Sequence, residues 1–216
     1  MEVVPSVNCP DLESVLEVFH RLEKFLPPKS RLHLDVRDAQ FTMSKTWVDP
    51  IKWQSLLKHL KVQEVEFEVH LMVQDPEKVL EPWLRAGAKR AIVHVERLKD
   101  SAFIHRACGA YHAEAMLASN PETTSETLRP HLTTWSAFQV LSVNPGSNGQ
   151  KFLPVVLDKI RFLRAEAPHA IIEVDGGINL ETAMLVKACG ADTIVSASYV
   201  LDAHDPAAAF RELKSV

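Results

Sequence analysis

The stretch Ala170-Ile171-Ile172-Glu173-Val174-Asp175-Gly176-Gly177-Ile178-Asn179-Leu180-Glu181 fixes the first unit of the fold. Its β-branched run over 170–174 reads as a strand. The Asp-Gly-Gly turn ends that run, because glycine tolerates the backbone angles a sharp turn needs. Asn179 is then a helix N-cap, and Glu181 lies in the first turn where the helix dipole favours an acid. The helix is predicted over 180–188. Gly190 stops it, and a second β-branched run follows at 193–196. A strand, a helix and another strand of this kind form a parallel unit.

Working outward, the same alternation covers the chain. Strands are predicted at 2–7, 31–36, 64–70, 90–95, 113–118, 137–143, 170–174 and 193–196. Helices are predicted at 12–25, 50–60, 76–86, 101–111, 124–130, 153–165, 180–188 and 206–213. Asp75-Pro76 and Asp205-Pro206 each pair an N-cap acceptor with proline at the first helical position, and Gly87 follows a helix end. Eight such units predict a closed parallel (β/α)8 barrel, the TIM-barrel class, as a single α/β domain over residues 1–216. A doubly wound open sheet is the alternative, but no Gly-x-Gly-x-x-Gly follows the first strand.

Bulk composition narrows the function. The 216 residues are 46% hydrophobic and 24% charged, with a formal net charge of −4. No basic excess invites nucleic acid or anionic lipid, so a phosphate would have to be met locally, by backbone N–H groups. Cys9, Cys108 and Cys189 are odd in number and lack Cys-x-x-Cys spacing, which reads as reduced thiols in a cytoplasmic protein. The N-terminus lacks the basic and apolar regions of a signal peptide, and no apolar run approaches the roughly 20 residues of a membrane helix.

In a barrel, chemistry gathers at the C-terminal ends of the strands. His33 and Asp35 are two apart and share one face of strand 2. His70 stands at the end of strand 3, Asp175 at the end of strand 7 and Ser6 at the end of strand 1. His33, Asp35, His70 and Asp175 are ligand types for zinc, iron(II), manganese or cobalt. His94, at the end of strand 4, is expected to be structural. Small-residue turns follow strands 6, 7 and 8, at Gly146-Ser147-Asn148-Gly149, Gly176-Gly177 and Ala197-Ser198. They let backbone amides approach a phosphate.

These segments carry a resemblance. Pro5-Ser6, His33-Leu34-Asp35-Val36 with Asp38 and Phe41, Val69-His70-Leu71-Met72 and Val93-His94-Val95-Glu96 resemble the ribulose-phosphate 3-epimerases. So do Asn120-Pro121, Ser142-Val143-Asn144-Pro145-Gly146, Gly149-Gln150-Lys151-Phe152 and Glu173-Val174-Asp175-Gly176-Gly177-Ile178. The resemblance implies one divalent metal, zinc first, on His33, Asp35, His70 and Asp175. It implies Asp35 and Asp175 as the acid–base pair, with Ser6 and His70 beside the substrate. It implies a phosphorylated ketose whose phosphate lies against Gly146, Ser147, Asn148, Gly149, Gly176, Gly177, Ala197 and Ser198. It also leans towards a homo-oligomer, although the charged helix faces permit a monomer.

The chain departs from the family at several places. Arg37, Ala39-Gln40, Leu141, Ser147-Asn148 and Ala197 replace residues usual there. Arg37 shares the alternation of Asp35; it is expected to turn out to solvent past the strand end, the alternative being that it enters the mouth. Two other functions therefore stay open: epimerisation of a six-carbon ketose 6-phosphate, and a phosphosugar-binding barrel without catalysis.

Overall fold

Eight parallel strands pair in sequence order, and the last closes on the first through Glu2↔Thr193 to Pro5↔Ser196. The computed structural model describes residues 1–46, 49–58, 60–146 and 149–216. The strands are β1 (Glu2–Val7), β2 (Arg31–Arg37), β3 (Glu66–Met72), β4 (Arg90–His94), β5 (Glu114–Ser119), β6 (Ala137–Leu141), β7 (Ile171–Asp175) and β8 (Thr193–Ser196). The helices are α1 (Leu12–Leu22), α2 (Pro50–Leu57), α3 (Pro76–Arg85), α4 (Ser101–Ala110), α5 (Ser125–Leu128), α6 (Val156–Glu166), α7 (Leu180–Cys189), α8 (Ser198–Leu201) and α9 (Pro206–Ser215).

Alternation along each strand sorts the residues into two layers. Leu32, Leu34 and Val36 of β2 join Phe67, Val69 and Leu71 of β3 in the apolar layer beneath the helices. At about 25 cal/mol per Å² of buried apolar surface, this layer is the main stabilising element. The inward face is divided. Ile92, Met116, Ala118, Ala137 and Leu141 fill one side with apolar volume. The other side buries His33, Glu68, Arg90, Gln139 and Glu173.

Several boundaries move for local reasons. Strand 3 starts at Glu66 rather than 64, because Glu64 has φ +55°, a left-handed conformation incompatible with a strand. His70 therefore stands inside β3, followed by two more strand residues. Pro130 leaves α5 a single turn, continued only by a 3₁₀ turn at Arg129–His131. Helix α6 begins beyond Pro154, at Val156. Asn179 and Thr182 form a capping box, and Gly190 ends α7 at φ +108°. Asp205 caps α9 as expected, but Asp75 caps nothing and pairs with Lys78 and Lys99. All three cysteines are free and buried. Among the described residues, no helix is long and apolar enough to cross a membrane.

Candidate active site and cation centre

The inward side chains of β2 and β3 meet because Asp35 is in register with His70. His33 Nε2 lies 3.2 Å from Asp35 Oδ1 and 3.3 Å from His70 Nδ1, and His70 Nδ1 lies 3.1 Å from the same Asp35 oxygen. Asp175, the last residue of β7, brings its Oδ2 to 3.8 Å from His33 Nε2 and 3.6 Å from His70 Nδ1. All four predicted metal-type residues thus converge. Ser6 donates to the other Asp35 oxygen, Oδ2, over 3.3 Å.

The donor set fits a divalent cation. Tetrahedral bonds of about 2.0–2.1 Å separate donor atoms by about 3.3–3.4 Å, and the observed separations straddle that value. Proton bookkeeping points the same way. Glu68 is held ionised against its burial by His33 and Arg90, so His33 Nδ1 must donate to it, over 2.8 Å. Neutral His33 then presents a lone pair at Nε2, towards an Asp35 oxygen. Without a cation a proton fills this role: burial opposes it, but Asp35 and Glu68 carry the His33 pKa well above its ordinary value. A second cluster, His33, Glu68 and Glu173, also lies within ligand distance. There Arg90 already supplies the cation, donating to Glu68 at 3.0 Å and to Glu173 at 3.2 Å.

The two aspartates sit in opposite electrostatic states. Asp35 is driven well below the usual carboxylate range, burial notwithstanding, by His33 and His70. Asp175 is pushed up to about 7, chiefly by burial, with Asp35 and Glu68 adding to it and His33 opposing. Two carboxylates with separated proton affinities are what paired acid–base chemistry requires.

A cleft opens above this layer. Ser6, Asp35, Gly146, Gly149, Asp175, Gly176, Gly177, Ala197 and Ser198 all border it, so most of the predicted substrate contacts share one cavity. Ser147 and Asn148 lie outside the described residues. Gly177 has φ +63°, and a Cβ there would stand 2.5 Å from the Phe152 amide nitrogen, so the turn after β7 closes only on glycine. Ser142 ties β6 to this turn by donating to the carbonyls of Asp175 (3.0 Å) and Gly176 (2.5 Å).

Two expectations need correction or extension. Arg37 does not turn out to solvent: it is 7% exposed, and its guanidinium donates to Ser44 Oγ (2.6 Å) and Asn8 Oδ1. Strand β2 continues through Arg37, whose backbone is held by Thr46, and this keeps the side chain in the mouth. Among the described residues no ion pair links it to Asp35. His94 is no ligand, but it is bonded directly to His70, Nε2 to Nε2, at 2.8 Å. The sequence marked the position without revealing that bond, which depends on the register of β4 against β3, where His70 pairs with Ile92, two residues before His94.

The sequence comparisons agree with this geometry. Residues 3–201 match the family model described as the Ribulose-phosphate 3 epimerase family. The chain belongs to that family. It is 34% identical over 209 residues to the ribulose-phosphate 3-epimerase of Schizosaccharomyces pombe, covering 95% of this chain and 89% of that protein. It is 32% identical over 206 residues to the enzyme of that name from Chlamydia muridarum, covering 91% and 86%. Among solved structures, a 3-hexulose-6-phosphate synthase superposes with TM-score 0.71 at 16% identity, over 100% of this chain and 99% of that one. An orotidine 5'-monophosphate decarboxylase from Sulfolobus solfataricus gives 0.64 at 16% identity, over 99% and 96%. At that distance the two share the barrel fold with this family member.

Proposed function

We propose that the protein interconverts D-ribulose 5-phosphate and D-xylulose 5-phosphate by inverting C3. The observation that carries this reading is the facing of Asp35 and Asp175 across the same two histidine nitrogens, one carboxylate ionised and the other near neutral. Family membership supports the substrate.

His33, Asp35, His70 and Asp175 would hold the divalent cation, with zinc the first choice and iron(II), manganese or cobalt the alternatives. When bound, it would supply positive charge where negative charge develops on O2. The chain's own groups move the protons. One carboxylate takes the C3 proton; the C–H electron pair enters the C2–C3 bond, and the carbonyl pair moves onto O2. The opposite carboxyl then returns a proton to the other face of C3 as the carbonyl re-forms. Asp35 and Asp175 exchange these roles between the two directions. Ser6 and His70 flank the reacting carbons. The backbone at Gly146, Gly149, Gly176, Gly177, Ala197 and Ser198, with Ser147 and Asn148, receives the phosphate and orients C3 between the carboxylates.

Incubation of the protein with D-ribulose 5-phosphate in D2O tests this. Deuterium is expected at C3. No exchange with zinc, iron(II), manganese or cobalt supplied would contradict the reading.

A further inference from the structure

Behind His70 runs a hydrogen-bonded chain, half-buried at its far end, that the proton transfer does not use. His70 Nε2 meets His94 Nε2 at 2.8 Å, and His94 Nδ1 meets Glu96 Oε2 at 3.0 Å. The other Glu96 oxygen accepts from the Asn120 backbone amide at 2.9 Å and from the Thr123 hydroxyl. Both histidines are wholly buried.

The far end of this chain has a fixed polarity. A backbone N–H can only donate, so Glu96 must accept there. Glu96 is ionised, held down at about 2 against its burial by His94, Thr123 and the Asn120 amide, and so accepts at its other oxygen too. His94 Nδ1 therefore carries a proton. In neutral His94 the second nitrogen, Nε2, then accepts, which requires a proton on His70 Nε2. Neutral His70 is left with a bare lone pair at Nδ1, the atom that faces Asp35 and the cation centre.

We infer that His94 and Glu96, anchored on the Asn120 amide, are positioning residues that lock His70 in the tautomer whose Nδ1 can bind a metal. The usefulness of that lock rests on the cation reading of the site; the lock itself is a property of the metal-free chain. The His94 and His70 rings also lie nearly parallel, 13° apart with centroids at 5.0 Å, so packing is the rival explanation.

Two substitutions separate them. Glu96→Gln keeps the shape but cannot satisfy both neighbours. If its carbonyl oxygen stays on the Asn120 amide, its NH2 faces His94 and reverses the chain, putting the proton on His70 Nδ1. If it flips, its NH2 opposes the Asn120 N–H. His94→Leu deletes the relay, whereas His94→Gln can accept from His70 and donate to Glu96.

The measurements are cobalt(II) affinity by optical titration against a chelator, and the ¹⁵N shifts of the His70 ring in the metal-free full chain. Wild type is expected to carry the proton on Nε2. Glu96→Gln and His94→Leu should each weaken cobalt(II) binding by about 10- to 100-fold, with the His70 proton redistributed towards Nδ1. His94→Gln should recover most of the affinity. A wild-type His70 protonated at Nδ1 overturns the inference, as do wild-type shifts and affinity in Glu96→Gln. Should His94→Leu not fold, the isosteric Glu96→Gln still decides. If wild type shows the Nε2 proton yet takes up no cobalt(II), the cation reading fails and the lock stands.

Discussion

On one side of the barrel mouth, β2, β3 and β7 present four polar side chains, each held by another side chain, whereas on the other side the turns after β6, β7 and β8 offer mainly backbone. The first side depends on residue identity: an imidazole or carboxylate must stand at each position, and Glu68 and His94 must stand behind the histidines. The second depends on conformation, with Gly146, Gly149, Gly176 and Gly177 all at positive φ. A substitution on the first side should therefore damage chemistry and cation binding, while one on the second should damage binding of the phosphate alone.

The largest effect is expected for Asp175→Asn. Removing one member of the proposed acid–base pair should lower kcat by about 10²- to 10⁴-fold, read as C3 deuterium exchange with saturating cation. A near-normal rate would break the comparison.

Cation uptake should also depend on pH. The raised pKa of His33 means the metal-free site holds a proton at neutral pH, and that proton must leave when a cation enters. Apparent affinity should fall as pH falls, by about tenfold per unit for each proton released, with Asp175, pushed up to about 7, adding a second proton below that pH. Calorimetry above about pH 8, where Asp175 is ionised, counts the His33 proton in buffers of different ionisation enthalpy; no release there would remove His33 from the ligand set.

Gly177→Ala probes the backbone side. The clash with Phe152 should shift the turn, raising KM about tenfold, equivalent to about 1.4 kcal/mol, with cobalt(II) affinity unchanged. Loss of cation binding instead would show that the two sides are not separable. Arg37→Met should do least: removing a buried cation near Asp35 should tighten cobalt(II) binding by about threefold, while KM rises as the Asn8 and Ser44 contacts are lost.

The same contrast explains what could be read from the sequence. His33-x-Asp35 was legible because strand period alone puts both residues on one face. The capping box at Asn179 and the stop at Gly190 were legible because they are local. The partners of Arg37 were not, since Asn8 and Ser44 lie in the irregular loops after β1 and β2, where no strand or helix period places a side chain. Nor was the bond from His70 to His94, which joins different strands, or the layer in which Arg90 serves Glu68, Glu114 and Glu173. Helix α8 has four residues, too few for periodicity to register.

The most direct test of the cation centre is anomalous diffraction from crystals grown with zinc or cobalt(II). The predicted result is one ion bonded to His33 Nε2, Asp35 Oδ1, His70 Nδ1 and Asp175 Oδ2, at about 2.0–2.2 Å. An ion bound elsewhere, or none at these four atoms with metal in excess, would contradict it.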